Sequence, residues 1–355
     1  MIKNLSLRDF RNFHEKEIAL DSHQILITGL NGAGKTSILE AISMLSAGKG
    51  IRGAKFSEQI KAGSEGWFLK FELDSYLGNI ILSQSNITKT TKRNLELNSR
   101  PITASELSNL STVFWLTPQL NTLFQESQTD RRKFYDRIVY AFHPEHASNI
   151  HKYEHYQKER MKILLMEYYD SSWLDIIENK LTELAVTIAT TRLKVKENLQ
   201  KTIDGLVTTF PKIELELESS LESIVLNNDE PEQLVKAEYV QAREEDARSH
   251  RNHFGALKTD FSVIHMGKNM PAKLCSTGEQ QACLIALLLA QSEAFIQEYA
   301  KKPILLLDEL FVHLDHKNKK YLTDYIDSQK IQTIVTTTEA ELCAEFAANA
   351  QVIEL

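Results

Sequence analysis

"QILITGLNGAGKTSILEAISMLSAG" (residues 24–48) reads as strand, glycine-rich turn and helix. Ile25, Leu26 and Ile27 form a short continuous apolar run, the pattern of a strand buried on both faces. Ile38, Leu39, Ile42 and Leu45 then recur at helical spacing. Between them "GLNGAGKT" (29–36) matches G-x-x-x-x-G-K-[ST] in full. Glycine tolerates the positive φ angles that curl a backbone until several N–H groups face one anion. The helix that follows adds the positive end of its dipole. Gly29, Leu30, Asn31, Gly32, Ala33, Gly34, Lys35, Thr36 and Ser37 are therefore expected to cradle the phosphates of ATP. Lys35 is expected to reach the β- and γ-phosphates, and the Thr36 hydroxyl to ligate Mg2+.

"ILLLDE" (304–309) supplies the complementary half. Asp308 ends a buried apolar strand, the edge at which ligands gather in open α/β sheets. It is expected to hold the magnesium with Thr36. Glu309 follows as the group to orient or deprotonate an attacking water, so Glu309 and Lys35 are the catalytic candidates. "LCSTGEQQACLIALLLA" (274–290) places Ser276, Thr277, Gly278, Glu279 and Gln280 in front of an apolar helix. The plain reading is N-capping by Ser276 or Thr277, with Glu279 closing a capping box. A helix start with free N–H groups and a serine hydroxyl is also a second anion site. Beside a P-loop and an acidic strand end, it points to a nucleotide held from two sides.

Around these motifs the chain changes character twice. Residues 67–82 and 92–103 read as hairpins, turning near Gly78-Asn79 and at Asn98-Ser99. From Asp130 to about Val207 strand signal is scarce. Trp173, Ile177, Leu181, Leu184 and Ile188 line one stripe of a helix over 173–207, roughly 50 Å long at 1.5 Å per residue, which Pro211 is expected to end. "KIELELE" (212–218) alternates as a strand, and 238–251 reads as a polar helix. After 255 the α/β pattern returns, with a helix over 279–299 and strands in 303–309, in "IQTIVTTT" (331–338) and in the closing "AQVIEL". The expected organisation is an α/β ATPase domain in two halves, 1–129 and 255–355, with a mostly helical lid or arm inserted over 130–254.

A length of 355 residues suggests about two domains. The net charge of −7 weighs mildly against nucleic-acid binding, although local basic faces matter more than the sum. Cys275, Cys283 and Cys343 fit neither a disulfide framework nor a zinc site. The start has no apolar core of signal-peptide length, and the apolar run "ACLIALLLA" is far shorter than a membrane span. A cytoplasmic protein with no membrane partner is expected.

"STGEQQ" resembles the signature motif of the ABC-type ATPases, and "HLD" (313–315) resembles their D-loop. More narrowly, the chain resembles the RecF family of bacterial recombination-repair ATPases, in "LSLRDFRNF", in "LTPQLNTLFQESQTDRRKFYDRIV" (116–139), in the signature region and in "LLLDELFVHLD". The resemblance implies an ABC-type ATPase head in which two ATP molecules are sandwiched in a head-to-tail homodimer. Ser276, Gly278, Gln280 and Asp315 would then reach the nucleotide bound by the partner copy, and Arg11 would lie near the nucleotide. It further implies a DNA-binding, nucleoid-associated repair protein with weak, slow ATP hydrolysis. Such a protein acts at gaps and single-strand/double-strand junctions, and with RecO and RecR helps to load the RecA recombinase. These are the processes of DNA replication, recombination, damage repair and the SOS response.

The chain departs from the family pattern in two places. "GALKTD" (255–260) carries Lys258 where the family has an arginine, and a point charge does not replace a planar fork. "TTT" stands where transporter-type ATPases carry a switch histidine, which puts Thr337 or Thr338 near the γ-phosphate and Gln119 as the Q-loop candidate. Basic residues offered for DNA phosphates are Lys89, Lys92, Arg93 and Arg100; Arg131, Arg132 and Lys133; Arg192, Lys194, Lys196 and Lys201; and Lys317, Lys319 and Lys320. The alternatives are a Rad50/SMC-like structural tether, for which the arm is too short, and a transporter ATPase subunit, which would carry the histidine and a shorter insert. A small-molecule kinase would leave the signature helix unexplained.

Overall fold

The computed structural model describes residues 1–46, 48–75, 78–87, 92–168 and 170–355. The chain folds as two compact units, one of residues 1–121, 207–210 and 292–355, the other of 122–206 and 211–291.

The first unit contains two sheets. One is antiparallel, in the order β2 (Phe13–Ala19), β1 (Ile2–Phe10), β4 (Gly66–Ser75), β5 (Gly78–Ile87), β6 (Asn94–Leu97) and β7 (Arg100–Pro101). β4 alternates buried and half-buried residues, because only one face of this sheet meets the core. The other sheet is parallel, in the order β14 (Gln351–Glu354), β3 (Gln24–Thr28), β13 (Thr333–Thr337), β12 (Ile304–Asp308) and β8 (Val113–Leu116). β12 and β13 are buried at every residue, as central parallel strands are. Helix α1 (Lys35–Ser43) touches β1 of the first sheet and β8, β12 and β13 of the second. Leu5, Leu7 and Phe71 join Ile38, Leu39, Ile42, Ile25, Leu306 and Ile334 in one core. Short helices α2 (Ala104–Leu110), α10 (His316–Gln329) and α11 (Ala344–Ala347) complete the unit.

The Asn98-Ser99 turn forms as expected, with both residues at positive φ (48° and 65°). The other hairpin closes earlier than expected. Ser75 pairs with Gly78, so Gly78 and Asn79 begin a strand, and residues 76–77 lie outside the described residues.

The second unit packs α3 (Gln128–Phe142), α4 (Glu145–Leu164), α5 (Ser171–Gly205), α6 (Ser220–Asn227), α7 (Pro231–Gln241), α8 (Arg243–Ser249) and the first part of α9 (Thr277–Tyr299) with a small antiparallel sheet. That sheet runs β11 (Met270–Pro271), β10 (Asp260–His265), β9 (Ile213–Glu218). β9 pairs with β10 over six residues, which ties 260–265 to the helices. The division therefore falls at 122 and 291, whereas the sequence pattern suggested 130 and 254.

Helix α5 follows its stripe from Leu174 through Ile177, Leu181 and Ile188, all buried. Trp173 lies one position off the stripe and is 48% exposed. The helix ends at Gly205, before Pro211, where Lys212 Nζ donates to the carbonyls of Ile203, Asp204 and Leu206 at 2.6, 2.9 and 2.6 Å. A cation there satisfies the orphan carbonyls and the negative dipole end. The polar helix expected over 238–251 is instead α7 and α8, parted at Ala242. All three cysteines are free and buried. Among the described residues no helix is long and apolar enough to cross a membrane.

Candidate nucleotide site

The P-loop follows β3 and curls into α1. Gly29, Gly32 and Gly34 all have positive φ, at 150°, 84° and 110°. At Gly34 a Cβ would come within 2.4 Å of the Phe13 ring, so only glycine lets the loop pass the β1–β2 hairpin. Lys35 Nζ donates to the carbonyls of Gly29 and Leu30 at 2.7 and 3.1 Å, which keeps the ammonium inside the loop it is meant to serve. Thr36 leads α1, and its Oγ1 lies 3.3 and 3.5 Å from the two carboxylate oxygens of Asp308 at the end of β12.

Asp308 is itself held by Thr336 on β13, whose Oγ1 donates to Oδ1 at 2.5 Å. It is 5% exposed. Thr36 and Asp308 thus place a hydroxyl and a carboxylate side by side. Mg2+ takes hard oxygens and usually binds through one or two protein groups plus substrate phosphates. The donor set fits that habit, and among the described residues no cluster of three or more His, Cys, Asp or Glu is built to hold a metal by itself.

Glu309 is half-buried, with φ 52° and ψ 19°, a left-handed conformation that costs a residue with a side chain. Its N–H is fixed by the Thr336 carbonyl at 3.1 Å. Strain of this kind persists where neighbours over-determine it, commonly at functional sites. Glu309 lines a cleft of about 460 Å³ together with Asn31, Gly32, Gly34, Lys35, Thr36, Ser37, Arg11, Asn12, Arg52, Glu58 and Ile60. Leu30 at the loop tip is 82% exposed, and Ala33 contributes its carbonyl to Asn12 Nδ2 at 3.4 Å.

Asp315 caps α10, accepting from Asn318 N at 2.8 Å. Thr337 is buried, and its hydroxyl donates to the Glu339 carbonyl at 3.1 Å, whereas Thr338 and Gln119 are exposed.

In the second unit, Ser276 and Gly278 are exposed at the start of α9, and a Cβ on Gly278 would meet nothing within 4 Å. Glu279 accepts from the Ser276 N–H at 3.0 Å, half of a capping box. A hydrogen bond from Lys268 first, then bonds to Ser276, hold the Glu279 carboxyl down at about 2. Gln280 is turned inward. It is 1% exposed and donates to the Cys275 carbonyl at 2.9 Å, so it braces the turn from inside while Ser276 and Gly278 present the surface.

Several basic candidates for nucleic acid are also corrected. Arg192 is fully buried, bound to Asp136 at 2.9 Å and Glu222 at 3.1 Å, and Arg132 pairs with Asp136 at 3.1 Å. Arg131 grips Asp260 through two bonds of 2.8 and 2.6 Å. Arg93 donates to the Met44 and Ser46 carbonyls and to Gln84 at 2.7, 2.9 and 2.7 Å. Lys319 donates to the Leu342 carbonyl at 2.8 Å, and Lys201 pairs with Glu197 at 2.7 Å. Lys196 is half-buried. Lys92, Arg100, Lys133, Lys194, Lys317 and Lys320 are exposed, and Lys89 lies outside the described residues.

Glu40, Arg52 and Thr336 are site neighbours that pattern reading missed. The one signal was a carboxylate at position 40 inside an otherwise apolar helix run.

Comparison with known proteins finds relatives along the whole chain. The family model described as the RecF/RecN/SMC N terminal domain matches residues 1–354. The DNA replication and repair protein RecF of Rickettsia canadensis (strain McKiel) is 41% identical over 355 residues, covering 100% of this chain and 99% of that one. A solved recombination mediator protein RecF-ATP of the RecFOR pathway superposes with TM-score 0.83 at 21% identity, over 95% of this chain and 92% of that chain. An Smc head domain from Pyrococcus furiosus gives TM-score 0.54 at 18% identity, over 99% and 92%. The chain has the fold of an ABC-type ATPase head, and it belongs to the RecF/RecN/SMC N-terminal domain family, within which its relatives are RecF proteins of DNA replication and repair.

Proposed function

We propose that the chain is an ATP-driven DNA clamp of recombination repair. The observation that carries this reading is the contact of Thr36 with Asp308, at a cleft that Thr36 lines together with Lys35 and Glu309. The P-loop N–H groups and Lys35 bind and orient the triphosphate of ATP. Thr36 and Asp308 hold Mg2+, which when bound neutralises charge on the β- and γ-phosphates. Glu309 orients the attacking water and takes its proton, while Thr336 keeps Asp308 in register for its own task.

The exposed Ser276–Gly278 start of α9 is proposed to reach the nucleotide held by a second copy, with Asp315 contributing across the same interface. Nucleotide energy spent on closing such an interface shifts a population from single chains to closed pairs. The closed pair binds gapped or junction DNA through phosphate contacts, for which Lys92, Arg100, Lys133, Lys194, Lys317 and Lys320 are the surface candidates. With RecO and RecR it helps load RecA at single-strand gaps, and hydrolysis resets it. The reading implies a protein that works in the cytoplasm, at the nucleoid. Sedimentation with and without Mg-ATP tests the core of the proposal. Wild type should pair only with Mg-ATP, and Ser276→Arg should retain nucleotide binding yet stay single. Normal pairing of Ser276→Arg would sink the cross-subunit role.

A further inference from the structure

Glu40 has no part in the chemistry just described, yet it is the most enclosed charge beside the cleft. It sits on α1 one helical turn beyond Thr36 and is 0% exposed. Both of its oxygens face Arg11, whose Nε and Nη2 donate to Oε2 and Oε1 at 2.7 and 2.5 Å. Arg11 Nη1 donates to the Glu58 carbonyl at 2.7 Å. A guanidinium has five N–H groups. These three bonds leave one on each terminal nitrogen with no partner among the described residues. Two such groups are what a bidentate phosphate contact uses. Arg11 lines the cleft with Lys35 and Thr36.

The backbone makes the same point. Arg11 and Asn12 are the two residues between β1 and β2, and Arg11 has φ 54°, a region unfavourable to any residue with a β-carbon. The turn is held there by Arg11 N to the Gln59 carbonyl at 2.8 Å and by Lys61 Nζ to the Asn12 carbonyl at 2.9 Å. A glycine would adopt this turn without strain, so the arginine side chain is what the strained turn serves to place. Arg52 also approaches Glu40, but at 3.7 Å and 44% exposed it is only loosely held.

We propose that Glu40 is a positioning residue of the nucleotide site: it fixes the plane of Arg11 so that the two remaining N–H groups meet phosphate oxygens of the bound nucleotide. The inference rests on the nucleotide reading above and adds a residue to it. Simple electrostatics predicts the opposite effect, because a buried negative charge near the phosphates should weaken their binding.

Titration of the full chain with a fluorescent Mg-ATP analogue separates the two. Glu40→Gln and Arg11→Ala should each weaken binding about tenfold, as loss of a charged hydrogen-bond partner does. The double variant should match Arg11→Ala, since Glu40 acts only through Arg11. Unchanged or tighter binding by Glu40→Gln, or additive losses in the double variant, would overturn the proposal. A merely structural carboxylate would lower the melting temperature and leave the affinity alone. Should Glu40→Gln fail to fold, Arg11→Ala compared with the double variant still decides: Arg11→Ala leaves the Glu40 carboxylate unpaired, and tighter binding by the double variant would show Glu40 acting through its own charge and overturn the proposal. Failure of wild type to bind would instead remove the nucleotide reading, and this role with it.

Discussion

Thr36 and Asp308 are 272 residues apart in the chain and share a hydrogen bond. Each stands where regular structure ends, one opening a helix and the other closing a strand, so each is aimed by backbone geometry more than by its own side-chain freedom. Lys35 lies between them in function. Its ammonium already has two carbonyl partners, so it is fixed near the loop without a carboxylate to neutralise it. Lys35→Ala should therefore cut Mg-ATP affinity by roughly 100-fold, the scale of one lost charge-assisted contact to phosphate or more. Isothermal calorimetry measures the affinity. A thermal melt should show little change, because nothing else in the fold leans on that ammonium.

Helices α3 and α5 show how a charged element can be structural. Arg192, one of the basic residues offered with Lys194 and Lys196 for DNA phosphates, points inward and binds Asp136, Glu222, Thr259 and the Ala256 carbonyl. Asp136 also accepts from His146 at 2.9 Å. Asp136→Asn should cost about 3–5 kcal/mol in urea denaturation, since it leaves a buried arginine under-compensated. Acid should act on the same cluster. Burial pushes the His146 imidazole below its ordinary value. Burial alone would raise the Asp136 carboxyl, but Arg192 and the His146 bond outweigh it and bring it down to about 2. Both folded values lie below the unfolded ones, so both groups contribute stability that is lost as pH falls. The loss begins below roughly 6.5 through His146 and continues from about 4 towards 2 through Asp136. Denaturation midpoints measured across that range should fall monotonically in wild type and more shallowly in Asp136→Asn.

At the scale of the whole molecule, the residues proposed to handle nucleotide belong to two different units of the chain. The P-loop, Asp308 and Glu309 belong to the first, and Ser276 and Gly278 to the second, with α9 running from one into the other. A clamp built this way should be trapped by blocking its reset. Glu309→Gln keeps the size of the side chain but removes the group proposed to take the proton. It should hydrolyse ATP at least about 100-fold more slowly, in line with losses on removing a general base. It should also accumulate as a stable pair that retains gapped DNA on gel filtration. A Glu309→Gln protein that stays single with Mg-ATP would separate hydrolysis from pairing. Retention should weaken steeply with salt, because contacts to phosphate release counterions.

The sequence by itself determined the nucleotide loop, the acidic strand end, the parallel sheet around them and the long helix of the second unit. Each is written in local periodicity or in a motif whose spacing is a backbone requirement, and such signals survive without knowledge of neighbours. The Glu279 carboxylate accepting from the Ser276 N–H at the start of α9 was legible for the same reason. Only the tertiary structure decided which charges are surface and which are mortar. Arg192 and Lys194 are alike on a one-dimensional reading, but a helix turns by about 100° per residue, and that rotation sends one into a buried carboxylate pair and the other to solvent. Gln280 turned inward, and Glu40 became the partner of Arg11, through contacts between segments that no local pattern relates. The border of the second unit likewise rests on β9 meeting β10 across more than forty intervening residues, a pairing set by packing and not by either strand alone.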